Sequence, residues 1–264
     1  MKKDAVVLLT DFINSDLLNK YYRIKKDFNG DTFLLFHNED NIVIDIPGDV
    51  NCVTFNLDKL NDLGYEAICE TLIPGSCHFA LLWFYNNYPD YRFYWNIEDD
   101  VDFSGDWKIL FDEFFNCDSD FLSTHINEYR DSPNWFWWNT LKCNDSIPLE
   151  KRIRSFNPIY RISEKALCFL DVFLKDLNMG HHEVLIPTAL FHNNFSINDF
   201  GGDGKYVLEN HTNKFYLPDS SNLIQGGTMR YRPVFPLSIL DQIKNKLIHP
   251  IKLKESDRFY YDSK

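Results

Sequence analysis

The first half of the chain alternates short apolar runs with stretches of helical spacing. Residues 5–10 (AVVLLT) and 32–37 (TFLLFH) are apolar runs of strand length. Between them, apolar side chains recur every three or four positions over 15–28, which predicts an amphipathic helix that ends before Gly30. Strands that alternate with helices indicate βαβ units and a mostly parallel sheet, so we expect an α/β fold.

The same alternation continues to about residue 125 and then gives way to a less regular half. The remaining elements predicted in the first half are a helix at 77–88, a strand at 91–97, a helix at 107–116 and a strand at 120–125. Those predicted in the second half are a polar loop at 129–150, a strand at 158–163, helices at 164–177, 181–193 and 236–247, and strands and loops over 196–235. No linker separates the halves, which favours one domain over 1–264.

Composition and charge narrow the classes of partner. Lys and Arg number 27 against 39 Asp and Glu, a formal net charge of -12. A nucleic-acid backbone is therefore a poor partner, although a small anionic ligand can bind where a pocket or a metal is locally positive. No stretch of about 18 apolar residues predicts a membrane span. Six scattered cysteines without a CxxC pair predict reduced thiols, mostly filling the core of a cytoplasmic protein.

The strongest chemical signal is the acidic segment IEDDVDFSG at 97–105. Glu98, Asp99, Asp100 and Asp102 follow an aromatic-rich strand, and open α/β sheets bind ligands at the carboxyl ends of their strands. Crowded carboxylates repel one another unless a cation neutralises them, and Mg²⁺ or Mn²⁺ prefers carboxylate oxygens. Asp100 and Asp102 are two apart, so an extended chain would point both to one metal. The alternative is a solvated acidic turn before the next helix.

A second signal is GHHEVLIPT at 180–188, where Glu183 follows His181 and His182 at a predicted helix start. A carboxylate there can act as a base toward a hydroxyl, or it can simply favour the helix dipole. The histidine spacing does not match HExxH, which argues against a zinc protease.

Weaker signals come from the aromatic run and the C-terminal part. Trp137 and Trp138 belong to WFWW at 135–138, which is either a platform for sugars or part of the core. His249 could complete a metal site, while Lys252 and Arg230 could contact phosphate. The sequence contains no GxxxxGK[ST], GxGxxG or GxSxG motif.

Taken together, AVVLLT, YWNIEDDVDFSGDW and the later GHHE resemble GT-A-fold glycosyltransferases. The resemblance implies a GT-A-like (Rossmann-like) mixed, mostly parallel sheet flanked by helices, with a nucleotide-binding half (1–125) and an irregular, acceptor-shaping half (126–264). It implies Asp100, Asp102 and His249 as metal ligands and Glu183 as the catalytic base. The family pattern has a second acid where this chain has His182. The residues expected to contact the nucleotide are Thr10, Asp11, Asp99, Asp100, Arg230 and Lys252, and those expected to contact the acceptor are Trp137, Trp138 and His182.

The function that the resemblance implies is sugar transfer from a UDP-sugar to a glycan or lipid-linked acceptor, with Mn²⁺ or Mg²⁺ as cofactor. A lipid-linked acceptor would bring the protein into peripheral contact with a membrane. Two alternatives remain open, a sugar-phosphate nucleotidyltransferase and a non-catalytic carbohydrate-binding protein. The first usually carries a Gly-rich basic loop after its first strand, where this chain has TDFINSD. The second would not need the acidic cluster.

Overall fold

The computed structural model describes residues 2–218 and 227–252. Its helices and strands are, in chain order, β1 (Ala5–Thr10), α1 (Ser15–Asp27), β2 (Asp31–His37), β3 (Cys52–Phe55), α2 (Leu57–Asn61), α3 (His78–Asn87), β4 (Phe93–Glu98), β5 (Asp102–Phe103), α4 (Trp107–Phe114), β6 (Phe121–Glu128), β7 (Ile153–Ser163), α5 (Glu164–Lys175), α6 (His182–His192), β8 (Ile197–Asp199) and β9 (Leu247–Ile248).

The main sheet has seven strands in the order β3-β2-β1-β4-β7-β6-β8. Strands β3, β2, β1 and β4 run parallel, and β8 is parallel to β6. Strand β7 runs antiparallel to both of its neighbours, β4 and β6. The predicted class, a mixed and mostly parallel sheet flanked by helices, is confirmed. A separate two-stranded sheet joins β5 to β9.

The alternating side chains of β1 explain why its sequence is apolar throughout. Ala5 and Val7 enter one hydrophobic core, whereas Val6 and Leu8 enter the core on the other face of the sheet. A strand covered on both faces has no polar side to show to water. No helix within the described residues is long and apolar enough to cross a membrane.

Four residues separate β1 from helix α1, which begins at Ser15 because Asn14 caps it. The Asn14 side chain accepts a hydrogen bond from the backbone N–H of Leu17 at 2.9 Å. The helix buries Leu17, Tyr21 and Ile24 against the sheet, and it also buries Lys20 beneath the end of β4. The helix thereby places a cation under the segment that the sequence marks as acidic.

The predicted helix at 236–247 is wrong. Only a 3₁₀ turn forms, over Leu237–Asp241, and β9 follows it. Asn245 takes a left-handed conformation with φ 54, which ends any helix, and Leu247 pairs with Phe103 in the antiparallel sheet.

The prediction that the cysteines mostly fill the core also needs correction. All six thiols are free, but none is fully buried.

Candidate metal centre and active site

The acidic turn (residues 98–101) connects β4 to β5 and is fixed through its backbone. The Val101 N–H donates to the Glu98 carbonyl at 3.1 Å, which closes the turn. Beneath it, the buried Lys20 ammonium donates to the carbonyl oxygens of Glu98 at 2.9 Å and Asp99 at 3.1 Å. The Thr10 hydroxyl, at the end of β1, donates to Asp99 Oδ2 at 3.0 Å. The edge of the parallel sheet therefore presents several carboxylates from one rigid turn.

The C-terminal segment brings a histidine to this turn. Strand β9 pairs with β5, and the Ile251 N–H donates to the Asp100 carbonyl at 2.8 Å. His249 Nε2 then lies 3.3 Å from Asp100 Oδ1. One ligand atom each from Glu98, Asp100 and His249 lies within 4.8 Å of the others. The structure thus brings together Asp100 and His249, two of the three predicted metal ligands.

The donor atoms of this group fit a divalent ion. His249 Nδ1 lies 2.6 Å from the Arg230 carbonyl oxygen, which can only accept a hydrogen bond. Nδ1 therefore carries the hydrogen, and in the neutral ring the lone pair is on Nε2, facing Asp100. Two carboxylates and one imidazole nitrogen suit Mn²⁺, and the carboxylates also suit Mg²⁺.

Asp102, the third predicted metal ligand, lies outside this group. It is buried, its Oδ2 accepts from Arg23 Nη2 at 2.5 Å, and its Oδ1 accepts from the Phe103 N–H at 2.7 Å. The prediction treated 100–102 as extended chain, but the turn at 98–101 re-aims the side chains. Glu98 takes the place that the sequence analysis gave to Asp102.

The electrostatics of the acidic turn show an excess of negative charge. Burial, and then the charges of Asp100 and Asp99, raise the pKa of Glu98. Burial, and then the charges of Asp100 and Asp11, raise the pKa of Asp99 to about 7. Lys20 opposes both shifts without cancelling them. A bound cation would stabilise the ionised carboxylates, as crowded acids require.

Glu183, the predicted base, lies at the start of α6. Its side chain is 13% exposed, and its Oε2 is 3.8 Å from Nδ1 of His181, the N-cap residue. Burial raises the pKa of Glu183 to about 7, against the opposing influence of Arg154 and of a backbone hydrogen bond from Asn157. The charge of Glu183 also raises the pKa of Glu98, so the two carboxylates are close enough to interact.

Neutral histidines surround the start of α6. His182 is 7% exposed, and burial lowers its pKa well below the ordinary value. Its N–H donates to the Gly75 carbonyl at 2.9 Å. Gly75 has φ +94, and a Cβ there would lie 2.9 Å from His181 Cδ2, so this close approach requires glycine. His182 is therefore buried, and its contact with an acceptor stays a prediction.

The aromatic side of the site consists of Trp135, Trp137, His181 and Arg154. The partly exposed Trp137 ring stacks on His181 with centroids 4.7 Å apart and planes 21° apart. Trp135 contacts His181 edge-on at 5.9 Å. Trp138 is only 1% exposed, and its Nε1 donates to the Ser132 carbonyl at 2.8 Å. The prediction that Trp138 contacts an acceptor therefore needs correction, because its ring belongs to the core.

Three of the residues predicted to contact a nucleotide, Thr10, Asp11 and Lys252, lie next to the acidic turn or next to a residue that contacts it. Thr10 and the exposed Asp11 stand at the end of β1, next to Asp99. Lys252 is exposed and directly follows Ile251, whose backbone contacts Asp100.

Arg230 meets the site through its main chain. Its carbonyl contacts His249, whereas its guanidinium lies over the Phe235 ring, 3.6 Å from the centroid. A role for its side chain in phosphate binding stays a prediction.

Sequence reasoning missed Lys20, Arg23 and Arg154. Lys20 stands three residues after Leu17 and four before Ile24, on the buried stripe of α1, and this spacing is the signal that could have found it. Arg154 alternates with buried positions in IRSFN at 153–157, a signal for a strand residue but not for a site residue.

Comparison with known proteins adds little at the level of sequence. No family model matches the chain, and no curated protein matches it. The chain is similar in structure to a putative glucose-1-phosphate thymidylyltransferase from Bacillus anthracis, at 12% identity and a TM-score of 0.39, with 75% of this chain and 86% of that chain covered. It is also similar to the inositol-1-phosphate CTP transferase from T. maritima, at 11% identity and a TM-score of 0.40, with 76% and 86% covered. Similarity at this level does not define an activity for the chain.

Proposed function

We propose that this chain is a metal-dependent glycosyltransferase that moves a sugar from a nucleotide-diphosphate donor, with UDP as the expected nucleotide, to a hydroxyl of a glycan or lipid-linked acceptor. The observation that carries the proposal is that a set of metal ligands and a candidate base lie close together. Glu98, Asp100 and His249 form a ligand set for a divalent ion, and the carboxylate of Glu183 is near enough to interact with Glu98.

The metal ligands would serve the leaving group. A bound Mn²⁺ or Mg²⁺ supplies Lewis-acid stabilisation of the diphosphate. Glu98 and Asp100 would hold the ion with His249, whose ring is oriented by the Arg230 carbonyl. Without the ion, the acidic turn would repel a diphosphate.

Glu183 would serve the acceptor. A sugar hydroxyl must lose its proton during transfer, and a base works best when its pKa lies near the working pH. Burial gives Glu183 a pKa of about 7, whereas an exposed carboxyl would be a weaker base. Trp137, stacked on His181 beside Glu183, offers a ring face for a saccharide.

Nucleotidyl transfer from a nucleoside triphosphate to a sugar phosphate is the second candidate, because the same metal ligands could hold a triphosphate. The two solved structures are named as enzymes of this class. A phosphate nucleophile is already an anion at neutral pH and needs no base. The position of Glu183 therefore favours a hydroxyl acceptor.

The released product separates the two candidates. The full chain with Mn²⁺ is incubated with UDP-sugars and saccharide acceptors, and separately with nucleoside triphosphates and sugar phosphates. Release of UDP that depends on acceptor supports glycosyl transfer. Release of pyrophosphate that depends on sugar phosphate overturns it in favour of nucleotidyl transfer. Binding of saccharide without any nucleotide binding would instead identify a carbohydrate-binding protein.

A further inference from the structure

Arg154 is a half-buried arginine whose charge interacts with that of Glu183. It lies in β7, paired in register with Asn127, and is half-buried. Its guanidinium stands 5.0 Å from the centre of the Trp135 ring, and its Nε is buried with no hydrogen-bond partner in the part of the chain that the structure describes. Among residues 2–218 and 227–252, no carboxylate lies within the 4.0 Å that defines an ion pair with Arg154.

Three other arginines among the described residues form ion pairs with carboxylates. Arg23 contacts Asp102 at 2.5 Å, Arg92 contacts Asp4 at 3.0 Å, and Arg130 contacts Glu128 at 3.0 Å. Half-buried Arg152 and buried Arg161 lack a carboxylate partner too, but their guanidinium groups donate to backbone carbonyls. No hydrogen bond of the Arg154 guanidinium is found within residues 2–218 and 227–252. A buried polar group without a partner is unfavourable unless a ligand supplies that partner.

Glu183 is not an ion-pair partner of Arg154 in this structure. Its charge interacts with Arg154 through space, but the two groups do not form an ion pair within 4.0 Å. Both side chains border the aromatic side, where Trp135 meets Arg154 on one side and His181 on the other. His181 in turn contacts Trp137 and Glu183. An anion that reached Arg154 would therefore lie beside the proposed base.

We propose that the acceptor of this enzyme is an acidic saccharide, with a carboxylate or phosphate that binds the Arg154 guanidinium while its ring stacks on Trp137. This inference rests on the proposed function, since it assigns the acceptor class of that site. The planar guanidinium donates two parallel hydrogen bonds to a carboxylate or phosphate, which neither Trp nor His offers. The anion would enter the site with the acceptor, which accounts for the lack of an ion-pair partner for Arg154 among the described residues.

The test compares three probes that share a pyranose ring: methyl glucuronide, glucose 6-phosphate and methyl glucoside. Their affinities for the full chain are measured by calorimetry, with Mn²⁺ and UDP present, and by the change in total tryptophan fluorescence. We expect at least one anionic probe to bind about 10-fold or more tightly than methyl glucoside, the scale of one charge-assisted hydrogen bond. The two anionic probes separate a carboxylate site from a phosphate site.

Arg154→Gln should abolish this preference and leave UDP affinity unchanged. Arg130→Gln is the matched control, because Arg130 has a 74% exposed side chain and already pairs with a carboxylate, that of Glu128. Arg154→Lys should retain only part of the preference, since lysine keeps the charge but loses the fork. If Arg154→Gln does not fold, the lysine variant decides the matter, and an undiminished preference in that variant overturns the proposal.

Equal affinity of the wild type for charged and neutral probes would overturn the proposal, as would a preference that survives Arg154→Gln. The proposed function fails separately. If the wild type prefers anionic probes but binds no UDP with Mn²⁺, the anion site stands and glycosyl transfer does not.

Discussion

The acidic turn and the aromatic side of the site have opposite electrostatic needs. In the turn, Glu98, Asp99 and Asp100 crowd together above one buried lysine, Lys20. On the aromatic side, one carboxylate, Glu183, stands among neutral histidines and an arginine for which the described residues supply no ion-pair partner. The first region needs a cation and the second can accept an anion. A donor bound through a metal ion and an acidic acceptor would meet both needs, and five predictions test the contrast between the two regions.

The largest expected effect comes from removing a metal ligand. Asp100→Ala should lower kcat about 1000-fold, because metal stabilisation of the leaving group contributes several kcal/mol. Calorimetry should also show a loss of Mn²⁺ binding. Asp102→Asn is the informative control, since Asp102 pairs with Arg23. It should reduce stability but keep Mn²⁺ affinity, and loss of Mn²⁺ binding in a folded Asp102→Asn variant would return Asp102 to the metal site.

Next in size is the loss of the proposed base. Glu183→Gln should lower kcat by about 100-fold and leave donor affinity unchanged, because the amide cannot accept the acceptor's proton. Glu164→Gln is a matched control, as Glu164 also lies in the first turn of a helix but pairs with Lys2 on the surface. Wild-type kcat in Glu183→Gln would assign Glu183 to helix capping alone.

The pH profile of the wild type provides a second check on Glu183. The pKa of about 7 means that the base is protonated below pH 7. The value of kcat/KM should therefore fall about 10-fold per pH unit below that point and level off above it. The same limb should be missing from the residual activity of Glu183→Gln.

Two adjacent tryptophans should behave differently when each is replaced by alanine. Trp137→Ala should raise the acceptor KM severalfold, up to about 10-fold, with little change in nucleotide affinity, because an exposed stacking face is lost. Trp138→Ala should instead lower the unfolding free energy by about 3–5 kcal/mol, as expected for a buried ring. Kinetics and urea unfolding on both variants test this, and a large stability loss in Trp137→Ala would place its ring in the core as well.

The smallest expected effect concerns His78, which stacks parallel to His182 with centroids 6.0 Å apart. Burial lowers the pKa of His78 to about 3, whereas the unfolded chain has a value of about 6.5. Below pH 6.5 the unfolded state thus binds the proton first, and the unfolding free energy falls as pH falls. His78→Phe should make this fall shallower between pH 6.5 and 5, by at most about 1.4 kcal/mol per pH unit. The unfolding free energies of wild type and variant are measured by urea unfolding at each pH. Equal slopes of unfolding free energy against pH in the two proteins would contradict this prediction.

The local pattern of the chain determines much of the fold. The apolar run of β1, the helical spacing at 15–28 and the acidic segment after β4 each follow from short-range rules, and the structure places a strand, a helix and a turn there. These rules work because burial on both faces of a sheet, or on one face of a helix, leaves a repeating mark in the sequence. Such marks do not record which distant segments meet.

Tertiary structure alone decided the membership of the candidate site. Glu98 rather than Asp102 joins Asp100 because a turn re-aims the chain, and β9 pairing with β5 is what places His249 beside them. Trp137 and Trp138 are chemically identical neighbours, yet a 3₁₀ turn leaves one ring partly exposed and buries the other. Residue type sets what a side chain can do, but its burial and its partners depend on long-range packing, which no local pattern contains.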